Sequence, residues 1–131
     1  MPQSFQVAGR VEPETRRIVF SVRGHIDSRV LIDRFIEIYS GIEAPWTYDR
    51  IFDYRRSDGL VEHVDVERIA RWWAGHIDSD CTRTRVAVIV NNPLDLLRAR
   101  GVADLFPREE RRTFLSIDEA LSWLDEGRRQ P

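Results

Sequence analysis

Six polar residues near two predicted strand ends form the strongest candidate for a binding site: Asp53, Tyr54, Arg55, Ser57, Asn91 and Asn92. The first four follow an apolar pair, Ile51-Phe52, and the two asparagines follow the apolar run Val86 to Val90. Open α/β sheets bind ligands beside the carboxyl ends of their parallel strands, where helix N-termini also favour anions. The pattern predicts a small pocket for a carboxylate or phosphate, anchored by Arg55 or Arg56.

The same polar residues also have a purely structural interpretation. Asn92 precedes Pro93, which is typical of a helix that begins with a capping side chain and then a proline whose missing N–H costs nothing. Asp53 can pair with a neighbouring arginine. A position beside the carboxyl ends of parallel strands is where a ligand would bind, but it does not prove that one does, so the sequence leaves both interpretations open.

The residue types used for metal binding and covalent catalysis form no recognised pattern. His63, His76 and Cys81 match no common zinc spacing. The sequence has no G-x-S-x-G elbow, no P-loop, no G-x-G-x-x-G turn and no lysine. We therefore expect no metal site, no cofactor and no catalytic residues, and we predict that the protein is not an enzyme.

Composition and charge place the chain among soluble globular proteins. Its 131 residues are 42% apolar and 32% charged, which predicts a single domain over residues 1–131 with a polar tail at 128–131. Twenty basic residues, all arginine, stand against 22 acidic ones. The arginine clusters, including Arg111-Arg112, are scattered among acidic neighbours, so we expect solvated surface and no nucleic-acid binding.

The distribution of apolar residues argues against export and membrane insertion. The N-terminus lacks a basic region followed by an apolar run, and the longest continuous apolar stretch is Val86 to Val90. Cys81 is the single cysteine, which fits a reducing compartment. We expect a cytoplasmic protein without a membrane span.

Five segments have strand character: Phe5 to Val11, Ile18 to Val22, Tyr48 to Tyr54, Val86 to Val90 and Thr113 to Leu115. The turn at Pro13-Glu14 predicts a hairpin of the first two, and Gly24 is expected to close the second. The run Val86 to Val90 shows no alternation, so we expect it to be a central parallel strand buried on both faces. Residues from Arg55 to Val64 read as a polar loop.

Four helices are predicted from capping residues followed by apolar positions at helical spacing. Asp27 or Ser28, then Asp65, Asn92 and Ser116 can each accept from the free N–H groups of a first turn. Strands followed by helices predict parallel crossover connections in a sheet that helices cover.

The apolar surplus on the first two helices has two interpretations. Ile32 and Ile36 lie beyond the core stripe of the first helix, and Trp72 lies off the stripe of the second. Exposed apolar patches mark interfaces or ligand grooves, and tryptophan is enriched at interface hot spots. The alternative is that neighbouring loops, including the one with Trp46, bury these side chains.

Four segments in this order resemble the SpoIIAA-like proteins, which are related to STAS domains and more distantly to the Sec14-type fold. They are Val22 to Asp27, Ile51 to Asp53, Arg85 to Val90, and Phe114 to Leu124 with its "EAL-x-WL" ending. The resemblance covers most of the chain. It implies an α/β sandwich of about five strands and four helices, with an N-terminal hairpin followed by parallel strand–helix units.

The resemblance also implies a class of function. Anti-sigma-factor antagonists of this family carry a phosphorylatable serine or threonine at the start of the helix after the third strand. Ser57, in Arg56-Ser57-Asp58-Gly59, is the nearest match, although the order of residues differs. We therefore hypothesise a regulatory or protein-interaction module, with a homodimer or partner surface near Ile32, Ile36 and Trp72. The alternative is a carrier or sensor of a small apolar or anionic ligand, bound at the sheet edge and helix groove.

Overall fold

The computed structural model describes residues 5–77, 83–96, 102 and 104–129. The strands are β1 (Gln6–Glu12), β2 (Arg17–His25), β3 (Asp49–Asp58), β4 (Thr84–Ile89) and β5 (Glu109–Phe114). The helices are α1 (Ser28–Ser40), α2 (His63–His76), α3, of which residues 93–96 are described, and α4 (Ile117–Arg129). Because α4 runs through Arg129, the predicted polar tail begins inside a helix; residues 130 and 131 lie outside the described residues.

The five strands form one sheet in the order β1-β2-β3-β4-β5. β1 and β2 pair antiparallel, whereas β2–β3, β3–β4 and β4–β5 pair parallel. The predicted hairpin followed by parallel strand–helix units is therefore confirmed. Since β2 to β5 all run the same way, their carboxyl ends lie at one edge of the sheet, which we call the carboxyl edge.

Two apolar clusters hold helices on opposite faces of the sheet. Val86, Val88 and Val90 pack with α1 and α2, while Ala87 and Ile89 pack with α4. All five side chains are buried, so the prediction of a central segment covered on both faces is confirmed. The larger cluster includes Phe20, Phe35 and Phe52 among its aromatic residues and contains the cavities described below.

The second and third strands are longer than predicted. Gly24 does not close β2 but lies within it at a φ of 90°, a conformation that side-chain-bearing residues rarely adopt. It follows a register shift between Ser21 and Arg23, after which β2 pairs with β3 as far as Asp58. The predicted loop from Arg55 is therefore wrong over its first four residues, because Arg56 to Asp58 pair with β2 and the Arg55 N–H donates to the Asp53 carboxylate.

β5 begins at Glu109, four positions before the predicted start at Thr113. Residues 109–112 are Glu-Glu-Arg-Arg and lack the apolar signal of a buried strand. They nevertheless pair in register with β4, from Thr84 opposite Glu109 to Ile89 opposite Phe114.

Three of the four predicted helix caps are confirmed. The side chains of Asp27, Asn92 and Ser116 accept from the backbone N–H groups of Val30, Asp95 and Glu119, at 3.2, 3.0 and 3.4 Å. The fourth prediction is wrong: α2 begins at His63, so Asp65 lies in its first turn. There Asp65 accepts from the hydroxyl of Ser28 at 2.7 Å, and that hydroxyl accepts from the Glu62 N–H.

Candidate functional site

The six polar residues predicted to form a site all lie at the carboxyl edge, but several of them form hydrogen bonds with one another or with the backbone. Arg55 donates to both carboxylate oxygens of Asp53, from Nε at 3.0 Å and from Nη2 at 2.8 Å. The Asn91 amide donates to the Arg55 carbonyl at 3.0 Å. Asn92 caps α3. Of the two predicted anchors, Arg55 therefore already has a carboxylate partner and Arg56 is exposed. The structural interpretation accounts for Asp53 and Asn92.

Asp53 is held ionised by this arrangement. Partial burial opposes its charge, but hydrogen bonds from the side chain and backbone N–H of Arg55, with the charges of Arg55 and Arg56, outweigh burial and hold the pKa of Asp53 below its usual value.

Tyr54 and Ser57 face a different environment from Asp53 and Arg55. Successive side chains of a strand point to opposite faces of the sheet, so Tyr54 packs against the larger apolar cluster, away from Asp53 and Arg55. At the register shift β3 has one extra residue, since Ser21 pairs with Asp53 and Arg23 with Arg56, and this reverses the alternation and brings Ser57 to the face of Tyr54. Tyr54 and Ser57 both line a cavity of about 170 Å³ there. The Ser57 hydroxyl donates to the Tyr54 carbonyl at 2.8 Å. Burial raises the pKa of Tyr54, so its phenol stays protonated and can donate a hydrogen bond.

The cavity lies on the face of the sheet that α1 and α2 cover, and its lining is mainly apolar. Its walls come from the sheet, from both helices and from the segment before β5: Phe35, Phe52, Ile69, Trp73, Val88 and Phe106. Polar groups enter it at Arg50, Tyr54, Asp95 and Arg111. A mostly apolar hollow with a few converging polar groups is the usual form of a small-ligand site.

Arg111 is the charged residue that distinguishes this cavity. Its guanidinium lies 4.7 Å from the ring centroid of Phe106 and 5.6 Å from that of Phe52. Its Nε is buried without a hydrogen-bond partner. Among the described residues no carboxylate lies within 4.0 Å of it. The prediction that Arg111 belongs to solvated surface is wrong, because β5 starts early and directs this side chain inward.

A buried ion pair lies beside the same cavity. Arg50 donates from Nη2 to Glu109 at 2.6 Å and from Nη1 to the Tyr39 hydroxyl at 3.2 Å. Its guanidinium also lies 4.2 Å from the centroid of a Trp73 ring. Burial opposes the charge of Arg50, but Tyr39 and Glu109 keep its pKa above the ordinary value; burial raises the pKa of Tyr39.

A second cavity, of about 230 Å³, is lined by both members of this ion pair. Arg50, Trp73 and Phe106 line both cavities. Glu109 lines the second, and its Oε1 is buried without a partner among the described residues.

The side chains predicted to form an interface are more buried than expected. Ile32 is 2% exposed and lines the first cavity, so it cannot contact a partner while α1 and α2 stay in place. Ile36 and Trp72 are partly buried against the larger cluster. The Trp72 ring stacks on His76, with centroids 4.3 Å apart, and faces Tyr39 at 6.0 Å. Burial by neighbouring groups therefore accounts for most of the apolar surplus.

Exposed apolar side chains are found instead at the carboxyl edge. In the described part of the chain, six large apolar residues are exposed, and five of them follow the carboxyl ends of parallel strands. We call these five the apolar edge: Val30, Leu60, Val64, Leu94 and Leu115. Their exposed fractions run from 42% at Val30 to 63% at Val64. The sixth residue, Val11, lies at the opposite edge, near the end of β1.

The two described candidate metal ligands, His63 and His76, lie at opposite ends of α2. His63 pairs with Glu67 at 2.8 Å, and His76 is hydrogen-bonded to the Trp72 carbonyl at 2.7 Å. Cys81 lies outside the described residues. Across residues 5–77, 83–96, 102 and 104–129 no group of three or more potential metal ligands is found. Within the same ranges, no helix combines the length and apolar character that crossing a membrane requires.

Sequence reasoning missed Arg50, Glu109 and Arg111. Arg50 and Glu109 are separated by 59 positions, so no local pattern joins them. A weak signal for Arg111 does exist: residues 108–112 follow Pro107 and contain neither glycine nor proline, which permits an earlier start of β5.

Solved structures with the same fold support the architecture. An uncharacterized protein from the DUF3478 family with a SpoIIAA-like fold, from Shewanella loihica PV-4, aligns with a TM-score of 0.59 and 19% identity over 92% of this chain and 94% of its own. An anti-sigma factor antagonist from Mycobacterium paratuberculosis aligns with a TM-score of 0.58 and 17% identity over 93% and 95%. No protein-family model and no curated protein matches the sequence. The SpoIIAA-like (STAS-type) resemblance is thus confirmed as a likeness of fold.

Proposed function

We propose that this chain is a non-enzymatic regulatory module that binds a protein partner through its apolar edge. The observation that carries the proposal is the position of Val30, Leu60, Val64, Leu94 and Leu115. Exposed apolar residues are common singly, but here five of the six in the described part of the chain share one edge of the sheet. Burying such side chains against a partner would stabilise a complex by removing apolar surface from water.

A structure with the same fold supports a protein as the partner that binds the apolar edge. One structure with this fold is that of an anti-sigma factor antagonist, a name that describes action on another protein. We propose a cytoplasmic location for such a module, because a single cysteine fits a reducing compartment. A second copy of this chain is the alternative partner, and the experiment below separates the two.

Paired charge substitutions test the proposed surface. Leu60→Glu with Val64→Glu places two carboxylates on the apolar edge, and Val11→Glu is the matched control at the opposite edge, since Val11 is 38% exposed. We expect the double variant to lose a partner protein that the wild type and the Val11 variant both retain on affinity capture from the native cell. The partner is then identified by mass spectrometry, and the purified pair is examined by sedimentation.

Several results would count against this function. If both variants retain the partner equally, the apolar edge is not the docking surface. If sedimentation of the purified chain alone gives a dimer that the double variant abolishes, the edge binds a second copy instead. Circular dichroism of each variant confirms that loss of binding is not loss of fold.

Ser57 is the proposed phosphoacceptor of this module. It lies three residues before Leu60, and its hydroxyl is half-buried and donates to the Tyr54 carbonyl. Phosphorylation would replace that hydrogen bond with a group of about two negative charges. The intact mass of protein from its native cell, compared with the mass of a Ser57→Ala variant, tests this; an absence of phosphate in all growth states would remove the proposal.

A second candidate function, a carrier or sensor of a small ligand, is favoured by the cavity under α1 and α2. Arg55 is occupied by Asp53, so we place the ligand in this cavity of about 170 Å³ and not at the sheet edge. Native mass spectrometry followed by a denaturing mass of the same sample tests the proposal. Extra mass that disappears on denaturing supports it, whereas a bare chain that no ligand in a broad thermal-shift screen stabilises would contradict it.

A further inference from the structure

We infer that the cavity beside Arg111 binds a small amphipathic monoanion, a carboxylate whose apolar body fills the cavity while its charge pairs with the Arg111 guanidinium. This inference rests on the second candidate function and names its ligand class and its anchoring residue. It is independent of the apolar edge as a protein-docking surface.

The charge of Arg111 is unbalanced where comparable arginines are balanced. Arg17, Arg50 and Arg85 are each well shielded from solvent, with side chains 6%, 2% and 16% exposed, and each pairs with a carboxylate. Arg111 is half-buried and has no such partner among the described residues. Its buried Nε makes no hydrogen bond, as is also true of the Nε atoms of Arg17 and Arg50, so the missing carboxylate is what sets Arg111 apart. A cation partly withdrawn from water is costly unless it is paired, so this arrangement favours an anion that enters the cavity.

The other charges around the cavity do not take the place of that anion. The Glu109 carboxylate is bound by Arg50 at 2.6 Å. Asp95 also lines the cavity, and its Oδ2 accepts from the Asn92 amide at 2.7 Å. Neither carboxylate lies within 4.0 Å of Arg111. Among the described lining residues, Arg111 is the cation without a carboxylate within 4.0 Å. Because the Asp95 carboxylate also lines the cavity, a single negative charge suits it better than the two charges of a phosphate dianion.

One neutral donor stands beside this charge. Tyr54 lines the cavity, and its phenol lies near enough to the Arg111 charge to be influenced by it, with no hydrogen bond to another described residue. A protonated phenol donates a hydrogen bond to a carboxylate oxygen. Arg111 and Tyr54 together therefore supply the donors that a carboxylate head group requires.

The volume and apolar lining of the cavity determine the size of the apolar part of the ligand. Phe52, Ile69, Trp73, Val88 and Phe106 surround about 170 Å³. A cavity of about 150 Å³ lined by apolar side chains accepts benzene. The body that fits is accordingly an aromatic ring or a chain of roughly six to eight carbons. Suitable probes are octanoate and 3-phenylpropionate, with octanol and 3-phenylpropanol as neutral counterparts of the same shape.

Calorimetric titration of the full chain with these four probes tests the inference. We expect octanoate or 3-phenylpropionate to bind about 10-fold or more tightly than its alcohol, the difference that one charge-assisted interaction supplies. Arg111→Met should abolish that preference while the alcohol still binds. Arg112→Met is the matched control, because Arg112 is exposed and pairs with Ala87, whose side chain lies on the α4 face of the sheet, away from the cavity. It should bind as the wild type does.

The outcomes separate the two proposals. If acid and alcohol bind equally, or if Arg111→Met keeps the preference for the acid, the cavity takes a ligand but the inference about Arg111 is wrong. If no probe binds, the inference is wrong, and the broad ligand screen decides the second candidate function separately. Arg111→Lys, which keeps the positive charge, should retain the preference and serves where Arg111→Met does not fold.

Discussion

Arg50 in β3 and Glu109 in β5 form an ion pair that reaches across β4. Arg50 Nη2 lies 2.6 Å from Glu109 Oε2, and the two side chains are 2% and 3% exposed. β4 lies between their strands, where Thr84 pairs with Glu109 and Val86 with Arg50. The contact fixes the position of β5, and with it the direction of Arg111, which lies two residues further along the same face.

Breaking this ion pair should be strongly destabilising. Glu109→Ala leaves the Arg50 charge buried and unpaired, so we expect the free energy of unfolding to fall by about 3–5 kcal/mol in urea titration. Glu110→Ala is the control; its carboxylate is 47% exposed and pairs with Arg85, and its loss should cost less than about 1 kcal/mol. The double variant Arg50→Met with Glu109→Leu should recover most of the stability. Equal losses for Glu109→Ala and Glu110→Ala would contradict the account.

Alkaline pH should destabilise the fold through Tyr54. An unfolded tyrosine has a pKa of about 10, and burial raises the pKa of Tyr54 above this. The folded state therefore favours the neutral phenol, and this contribution is complete below about pH 10 and is lost as the pH rises towards the folded-state pKa. Urea titrations at about pH 8 and about pH 11 should show a fall in stability that Tyr54→Phe makes smaller. An unchanged fall in the variant would show that Tyr54 is not responsible.

Acid should weaken the contribution of Asp53. Its pKa is lowered in the folded state by Arg55 despite partial burial, so its stabilisation is present above the unfolded pKa of about 3.9 and is lost as the pH falls. Asp53→Asn should be less stable than wild type near neutral pH, and the difference should shrink towards about pH 3. The effect is modest, because the Asp53 side chain is 22% exposed and that of Arg55 is 41% exposed. A difference that stays constant with pH would contradict the assigned cause.

Arg111 should contribute little to stability if its role is to hold a ligand. With no ligand present its charge is unpaired, so Arg111→Met should leave the free energy of unfolding unchanged or raise it, within about 1 kcal/mol. Thermal unfolding of the ligand-free variant measures this. A loss of more than about 1 kcal/mol would instead assign Arg111 a structural role through its contacts with Phe52 and Phe106.

The sequence predicted those parts of the fold whose signals are local. The unbroken apolar run from Val86 to Val90 specifies a strand covered on both faces, and Asp27, Asn92 and Ser116 mark helix starts because a capping bond joins residues three positions apart. The hairpin followed from a turn between two strand-like segments.

The remainder depends on contacts between distant segments. The first residues of β5 are charged. Glu109 can be buried because its carboxylate pairs with Arg50, a residue 59 positions away in the sequence. β3 extends to Asp58 because β2 continues beyond its register shift to pair with it. The direction of Arg111 follows from the start of β5. The sequence therefore located the six polar residues at the carboxyl edge correctly, but it assigned Arg111 to the solvated surface, whereas this side chain lines the cavity.

The central claim, that the apolar edge binds a protein partner, is tested most directly by photo-crosslinking in the native cell. A photoreactive amino acid replaces Leu60 in one variant and Val11 in the other, since both side chains are exposed but lie at opposite edges. The account predicts a crosslink from position 60 to one distinct protein, identified by mass spectrometry, and none from position 11. Equal crosslinking from both positions, or none from position 60, would contradict it.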